Sequence, residues 1–220
     1  SMLVHVTRFV AVQGLVREQI DRELEILRDR LMGRGGPRDA EAVRGELRAL
    51  WEDDFVPTSE LMPAELAGAP LSWETVSERL PAAVGRIGPV LEINGSARDA
   101  LTYSDHPDGI SVIAVGGDKL SRGLTLEGLS VSYYLRASKM YDTLMQMGRW
   151  FGYRDGHTDL LRLYTSDELQ AWYRDITIAN EELGAKFDEM SRVGSNPRDF
   201  ALYVRKSPGG LLVTAQAKMR

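Results

Sequence analysis

A three-layer α/β domain built on a mainly parallel sheet is the fold class this sequence predicts, and two observations predict it. Apolar runs alternate along the chain with stretches whose apolar residues recur every three or four positions, which is the alternation of strands with helices. Two of the runs, ISVIAV at 110–115 and SVSYYL at 130–135, are nearly continuous in apolar residues, as strands buried on both faces are. Right-handed crossovers then follow as the expected connections between parallel neighbours.

The elements run in order as follows. LVHVT at 3–7 is a β-branched run and predicts a first strand. The segment after it carries Val12, Val16, Ile20, Leu24 and Leu27 at helical spacing and predicts a long helix up to GRGGPRD, which punctuates. AEAVRGELRALWEDDF at 40–55 predicts a second amphipathic helix, with Asp39 as a candidate cap. Residues 56–71 contain prolines and read as a loop. SWETVSERLPAAVGRI at 72–87 predicts a helix with capping signals at Ser72 and, better matched to Glu78, at Thr75; Pro81 is expected to end or bend it. VLEINGS at 90–96 and LLRLYT at 160–165 complete the predicted strands. SKMYDTLMQMGRWFG has helical period, and a long helix opened by Ser166 is expected over residues up to 193. The expected organisation is a main domain over 2–193 with a helical insertion at about 35–88, followed by an extension at 194–220 that holds two further strand candidates and whose truncation stays open.

The chain has 220 residues, enough to close a hydrophobic core without staples. Lys and Arg number 27 against 32 Asp and Glu, a net charge of −5, so any attraction for phosphate must be local. There is no cysteine, which excludes disulfides, thiolate zinc sites and a cysteine nucleophile, and a reducing cytoplasm is the expected compartment. Only three histidines occur, His5, His106 and His157, far apart in sequence, and no metal site is expected. No apolar stretch approaches a membrane span. Ser1 ahead of Met2 reads as a residue left by tag removal, and the early strand reads as the start of a cloned fragment.

Two stretches carry candidate chemistry. GGDKLSRGLTLEGL at 116–129 begins where ligands gather in a parallel sheet, at a strand's carboxyl end; Gly116 and Gly117 permit close backbone approach, and turn amides there suit anions. QMGRWFGYR at 146–154 sets Gln146, Arg149 and Arg154 around Gly148 and Gly152 ahead of the strand at 160–165; guanidinium forks are the usual holders of a transferring phosphoryl group. Each stretch alone also fits a plain structural role, as a capped strand-to-helix turn or as a helix end with favourable charges. Together they favour a shared phosphate site.

At these residues the chain resembles the second RecA-like lobe of a superfamily-two helicase or translocase. VIAVGGDKLSRGLTLEGLSVSYYL resembles the family's fifth motif, with Asp118, Arg122 and Gly123 at matching positions and Thr125 where an acid is usual. YDTLMQMGRWFGYR resembles the sixth, which carries an arginine finger; Gln146, Gly148, Arg149 and Arg154 match, with Arg154 two residues further on than usual. The combination is similar to the bacterial Z-one domain family, also described as endonucleases and found with anti-phage and restriction-type gene clusters; MLVHVTRF resembles its fourth motif.

The resemblance implies a RecA-like, P-loop NTPase-like fold. Arg149, Arg154 and Gln146 would be catalytic; Asp118, Arg122, Gly123, Thr125 and Gly148 would bind nucleotide; Thr7, Arg8, Asn94, Ser96, Gly116 and Gly117 would face nucleic acid. It implies ATP and magnesium as cofactors, and DNA, a P-loop-bearing first lobe and other defence-system proteins as partners. The chain has no Gly-Lys dipeptide and hence no P-loop of its own, so alone it is not expected to hydrolyse ATP.

Two other classes stay open. One is a non-catalytic RecA-like interaction domain that uses Trp150, Phe151 and Tyr153 as a contact patch. The other, disfavoured, is a nuclease using Asp108, Asp118 and Lys119, since the last two are neighbours that would point to opposite faces of a strand. WEDDF at 51–55 reads as a solvated helix end rather than a magnesium-binding acidic strand.

Overall fold

The computed structural model describes residues 1–63, 65–94, 106, 109–117, 128–135, 144–145 and 156–194. The chain divides into two compact units, one of Ser1–Tyr134 with Trp150–Tyr164 and the other of Leu135–Arg149 with Thr165–Arg220.

In the first unit, β1 (Met2–His5) lies at the middle of a five-stranded sheet. Its neighbours are β3 (Ile113–Gly116) on one side and β4 (Val131–Tyr134) on the other, with β2 (Leu91–Ile93) outside β3 and β5 (Arg162–Thr165) outside β4. The pairings β1–β3, β1–β4 and β2–β3 are parallel, with Leu3 opposite Ala114 and His5 opposite Tyr134. This is a mixed α/β fold with an all-parallel sheet flanked by helices, consistent with a RecA-like three-layer domain.

Strand alternation sorts the side chains of β1 onto two faces. Val4 packs with Val90 and Val115 beneath Val16 and Ile20 of helix α1 (Val10–Leu31). Leu3 and His5 are buried as well, and the His5 ring lies 5.3 Å from that of Tyr134. A second cluster joins Leu24 and Leu31 of α1 to Val43 of α2 (Pro37–Leu50) and Val84 of α4 (Trp73–Gly85). Each such aliphatic side chain contributes about 1.5–3 kcal/mol by leaving water.

Three expectations are corrected in this region. Val12 is 42 % exposed, and Gln13 takes the inward position in its place, so the buried stripe of α1 is rotated by one residue at its start. The cap of α2 is not Asp39 but Gly36, at φ +102°, followed by Pro37, while Asp39 accepts from Nε of Arg30 at 3.0 Å. Residues 56–71 are not wholly loop. A π turn (Trp51–Phe55) carries the chain on into α3 (Val56–Leu61), with Pro57 near its start, where the helical hydrogen-bond ladder is already interrupted and a missing N–H costs little.

Ser72 caps α4, its Oγ accepting from the amide of Thr75 at 3.3 Å. Glu74 in that first turn is held below the usual carboxylate range by its own backbone N–H and by the Ser72 hydroxyl. Pro81 does not end this helix, which continues to Gly85. The carbonyl that Pro81 cannot serve, four residues back at Ser77, accepts instead from Nη1 of Arg44 at 3.3 Å, and the same guanidinium donates to Ser77 Oγ at 2.8 Å.

The π turn is fastened to the edge strand β5. Arg162 Nε donates to both Asp54 carboxylate oxygens at 3.1 and 2.9 Å, and Nη1 donates to the carbonyls of Asp159 and Leu161 at 2.7 and 2.9 Å. The guanidinium carbon also sits 4.2 Å from the centre of the Phe55 ring. Buried Asp159 accepts from Ser59 Oγ at 2.6 Å and from the amide of Gly68 at 3.2 Å, which ties the segment after α3 to the same place. WEDDF therefore has one anchored carboxylate, Asp54, while Glu52 pairs with Arg48 on the surface.

In the second unit, helix α5 (Asp167–Val193) is opened by Ser166, whose Oγ accepts from the Leu169 amide at 3.3 Å, and is closed by Gly194 in the left-handed region. Leu169, Trp172 and Ile176 form its buried stripe, and Tyr173 donates to the carbonyl of Leu144 at 3.2 Å.

Candidate functional site

Because the strands are parallel, their carboxyl ends share one rim, and the loops after β1 and β3 emerge there as neighbours. Connections leaving β1 run toward β2, whereas those leaving β4 run toward β5, so the direction of winding reverses between β1 and β4. In parallel α/β sheets a crevice for ligands opens at such a reversal.

Thr7, Arg8 and Phe9 form the turn from β1 into α1. Thr7 Oγ1 accepts from the Phe9 amide at 3.2 Å, and the Thr7 carbonyl accepts from Nε2 of Gln13 at 3.0 Å. Gln13 is 1 % exposed, and its Oε1 has no hydrogen-bond partner among the described residues. Gly117 lies directly against this amide: a Cβ at that position would sit 2.5 Å from Gln13 Nε2 and 3.4 Å from the Thr7 carbonyl oxygen. Glycine at 117 thus answers a close approach rather than a backbone requirement, since it is not among the residues with positive φ.

Arg8 is exposed and lies over the Phe9 ring, 5.1 Å from its centre, and no carboxylate among the described residues pairs with it. Asn94 is buried just past the end of β2, where Ile93 is opposite Gly116, and its amide donates to Glu92 Oε1. Glu92 in turn lies 4.0 Å from Nε of Arg17 on α1.

The rim therefore brings together Thr7, Arg8, Gly116 and Gly117, with Asn94 on the adjacent strand end. Ser96, Asp118, Arg122, Gly123, Thr125, Gln146, Gly148, Arg149 and Arg154 lie outside the described residues, as do Asp108, Lys119, Trp150, Phe151 and Tyr153. Gln13 and Phe9 belong to the site and were missed by sequence reasoning. Nothing in hydropathy marks a glutamine within a helix as inward or a phenylalanine ahead of a helix as outward. Among the described residues no three acids or histidines are placed to hold a metal ion, and no helix is long and apolar enough to cross a membrane.

Fold and rim together define a parallel α/β domain whose strand-end loops gather along one edge. The chain matches the family model of the Z1 domain over residues 1–212 and belongs to that family. No curated protein and no solved structure matches it.

Proposed function

We propose that this domain is the second motor lobe of an ATP-driven DNA translocase or helicase-like protein serving a bacterial restriction or anti-phage system. The observation that carries the reading is the pairing, at one rim, of the Thr7–Arg8 turn with the Gly116–Gly117 pair that opens the motif-bearing stretch. In this reading the β1 turn meets the nucleic-acid backbone, while the stretch after Gly117 and the arginines at 149 and 154 meet nucleotide phosphates brought by a lobe that owns a P-loop.

ATP and magnesium would be held mainly by that other lobe, since this chain has no Gly-Lys dipeptide. Arg149 and Arg154 would neutralise charge on the transferring phosphoryl group, and Gln146 would position them. Asp118, Arg122 and Gly123 would link nucleotide state to the DNA-facing turn.

The test is DNA-stimulated ATP hydrolysis by the protein that joins this domain to its P-loop lobe, with Arg149→Ala and Arg154→Ala compared. Loss of the finger lowers kcat by on the order of 10³-fold or more. Unchanged turnover in both variants rejects the assignment, and unchanged turnover with lost capture of a partner protein favours the interaction-domain reading.

A further inference from the structure

Phe9 stands at the entrance to α1 with 59 % of its surface exposed, although it sits between the central strand and a helix that buries apolar residues further along. A large aromatic left open at a ligand-facing rim calls for a partner. Three features of its surroundings define the chemistry of that partner. Arg8 lies over the ring and has no carboxylate to hold it elsewhere among the described residues, so it is free to turn to an anion. The first turn of α1 carries no acid, and the Val10 and Ala11 amides have no acceptor among the described residues. Finally, Phe9's own amide is taken by Thr7 Oγ1, which fixes the ring's attachment point to the rim.

An unpaired cation, two open amides at a positive helix end and an exposed flat ring suit a ligand that is anionic along one edge and planar along another. We infer that Phe9 is a stacking platform for a base of single-stranded nucleic acid, with Arg8 and the start of α1 taking the adjoining phosphate. The inference rests on the proposed motor function and adds to it a strand preference, because bases within a duplex keep their faces to one another. Val12 and Leu15, 42 % and 66 % exposed, extend the apolar line from Phe9 and would also suit a protein partner. The unpaired cation and the absence of acid decide for nucleic acid.

The experiment measures binding of the 220-residue chain to a labelled oligothymidylate and to the same strand with abasic positions, at fixed salt, by fluorescence anisotropy. Phe9→Ala is expected to weaken oligothymidylate binding roughly five- to a hundredfold. Phe9→Trp should restore it. The wild-type chain should bind the abasic strand as weakly as Phe9→Ala binds the intact one, and that variant should not tell the two strands apart. Phe9 is exposed, so thermal melting should report the same fold for all three proteins.

Strand binding that ignores both the base and residue 9 overturns the stacking inference and leaves the motor reading standing. Absence of any strand binding overturns the inference and counts against the DNA-facing turn as well. If no strand binds and the wild-type chain self-associates while Phe9→Ala does not, the patch is a protein contact and the inference fails.

Discussion

Replacing Gly117 by alanine places a methyl group where the structure holds an amide. The added carbon would sit 2.5 Å from Gln13 Nε2, about 1 Å inside ordinary van der Waals separation, so the amide must retreat. Retreat breaks its 3.0 Å bond to the Thr7 carbonyl, and since Gln13 Oε1 has no partner among the described residues, both ends of a buried amide are then left unpaired. Losing that bond costs about 1–3 kcal/mol. The restricted unfolded chain returns about 0.4–1 kcal/mol, because the native backbone at 117 is open to alanine. The net loss is about 0–2.6 kcal/mol, or up to roughly 10 °C in Tm. Urea unfolding followed by tryptophan fluorescence measures it in two backgrounds. In Gln13→Ala the obstacle is gone, and Gly117→Ala should become neutral or slightly stabilising. Equal costs in both backgrounds would refute the claim that Gln13 is what requires glycine at 117.

Arg162→Ala leaves the Asp54 carboxylate and the carbonyls of Asp159 and Leu161 without their donor, with an expected loss of about 2–4 kcal/mol; Arg162→Lys should recover only part of it, because an ammonium cannot reproduce the fork. Calorimetric melting decides, and a loss under about 0.5 kcal/mol for Arg162→Ala would show the anchor to be idle. Arg44→Ala should cost about 0.5–1.5 kcal/mol in the parent chain and distinctly less in Pro81→Ala, where residue 81 regains an N–H for the Ser77 carbonyl. Identical costs in the two chains would mean that Arg44 does not compensate for the proline.

The architecture was legible because its signals are local and repeated. Nearly continuous apolar runs at 110–115 and 130–135 became β3 and β4, and Ser166 caps the helix it was expected to open, whereas α4 is capped by Ser72 and not by the better-matched Thr75, which lies inside the first turn. What escaped was set by tertiary partners. A proline in a helix is tolerated when an arginine 37 residues earlier in sequence supplies the missing donor, and no local pattern announces that arginine. Asp39 reads as a cap until Arg30 claims it, and a π turn cannot be told from the end of a helix by spacing alone. At the rim, the glycine pair was found as a place of close approach, but the group approaching it, Gln13, was hidden by the hydropathy pattern of α1.

The tie between Asp54 and Arg162 joins positions separated by 108 residues, one in the helical segment and one on the outermost strand. With Asp159 reaching back to Ser59 and Gly68, the helical segment is stapled to the sheet's border at several points, not hung from its two chain ends. A push on that border would therefore be felt in the helices at once. A change at either end of the tie removes a charged partner that only a second change, 108 positions away along the chain, could replace.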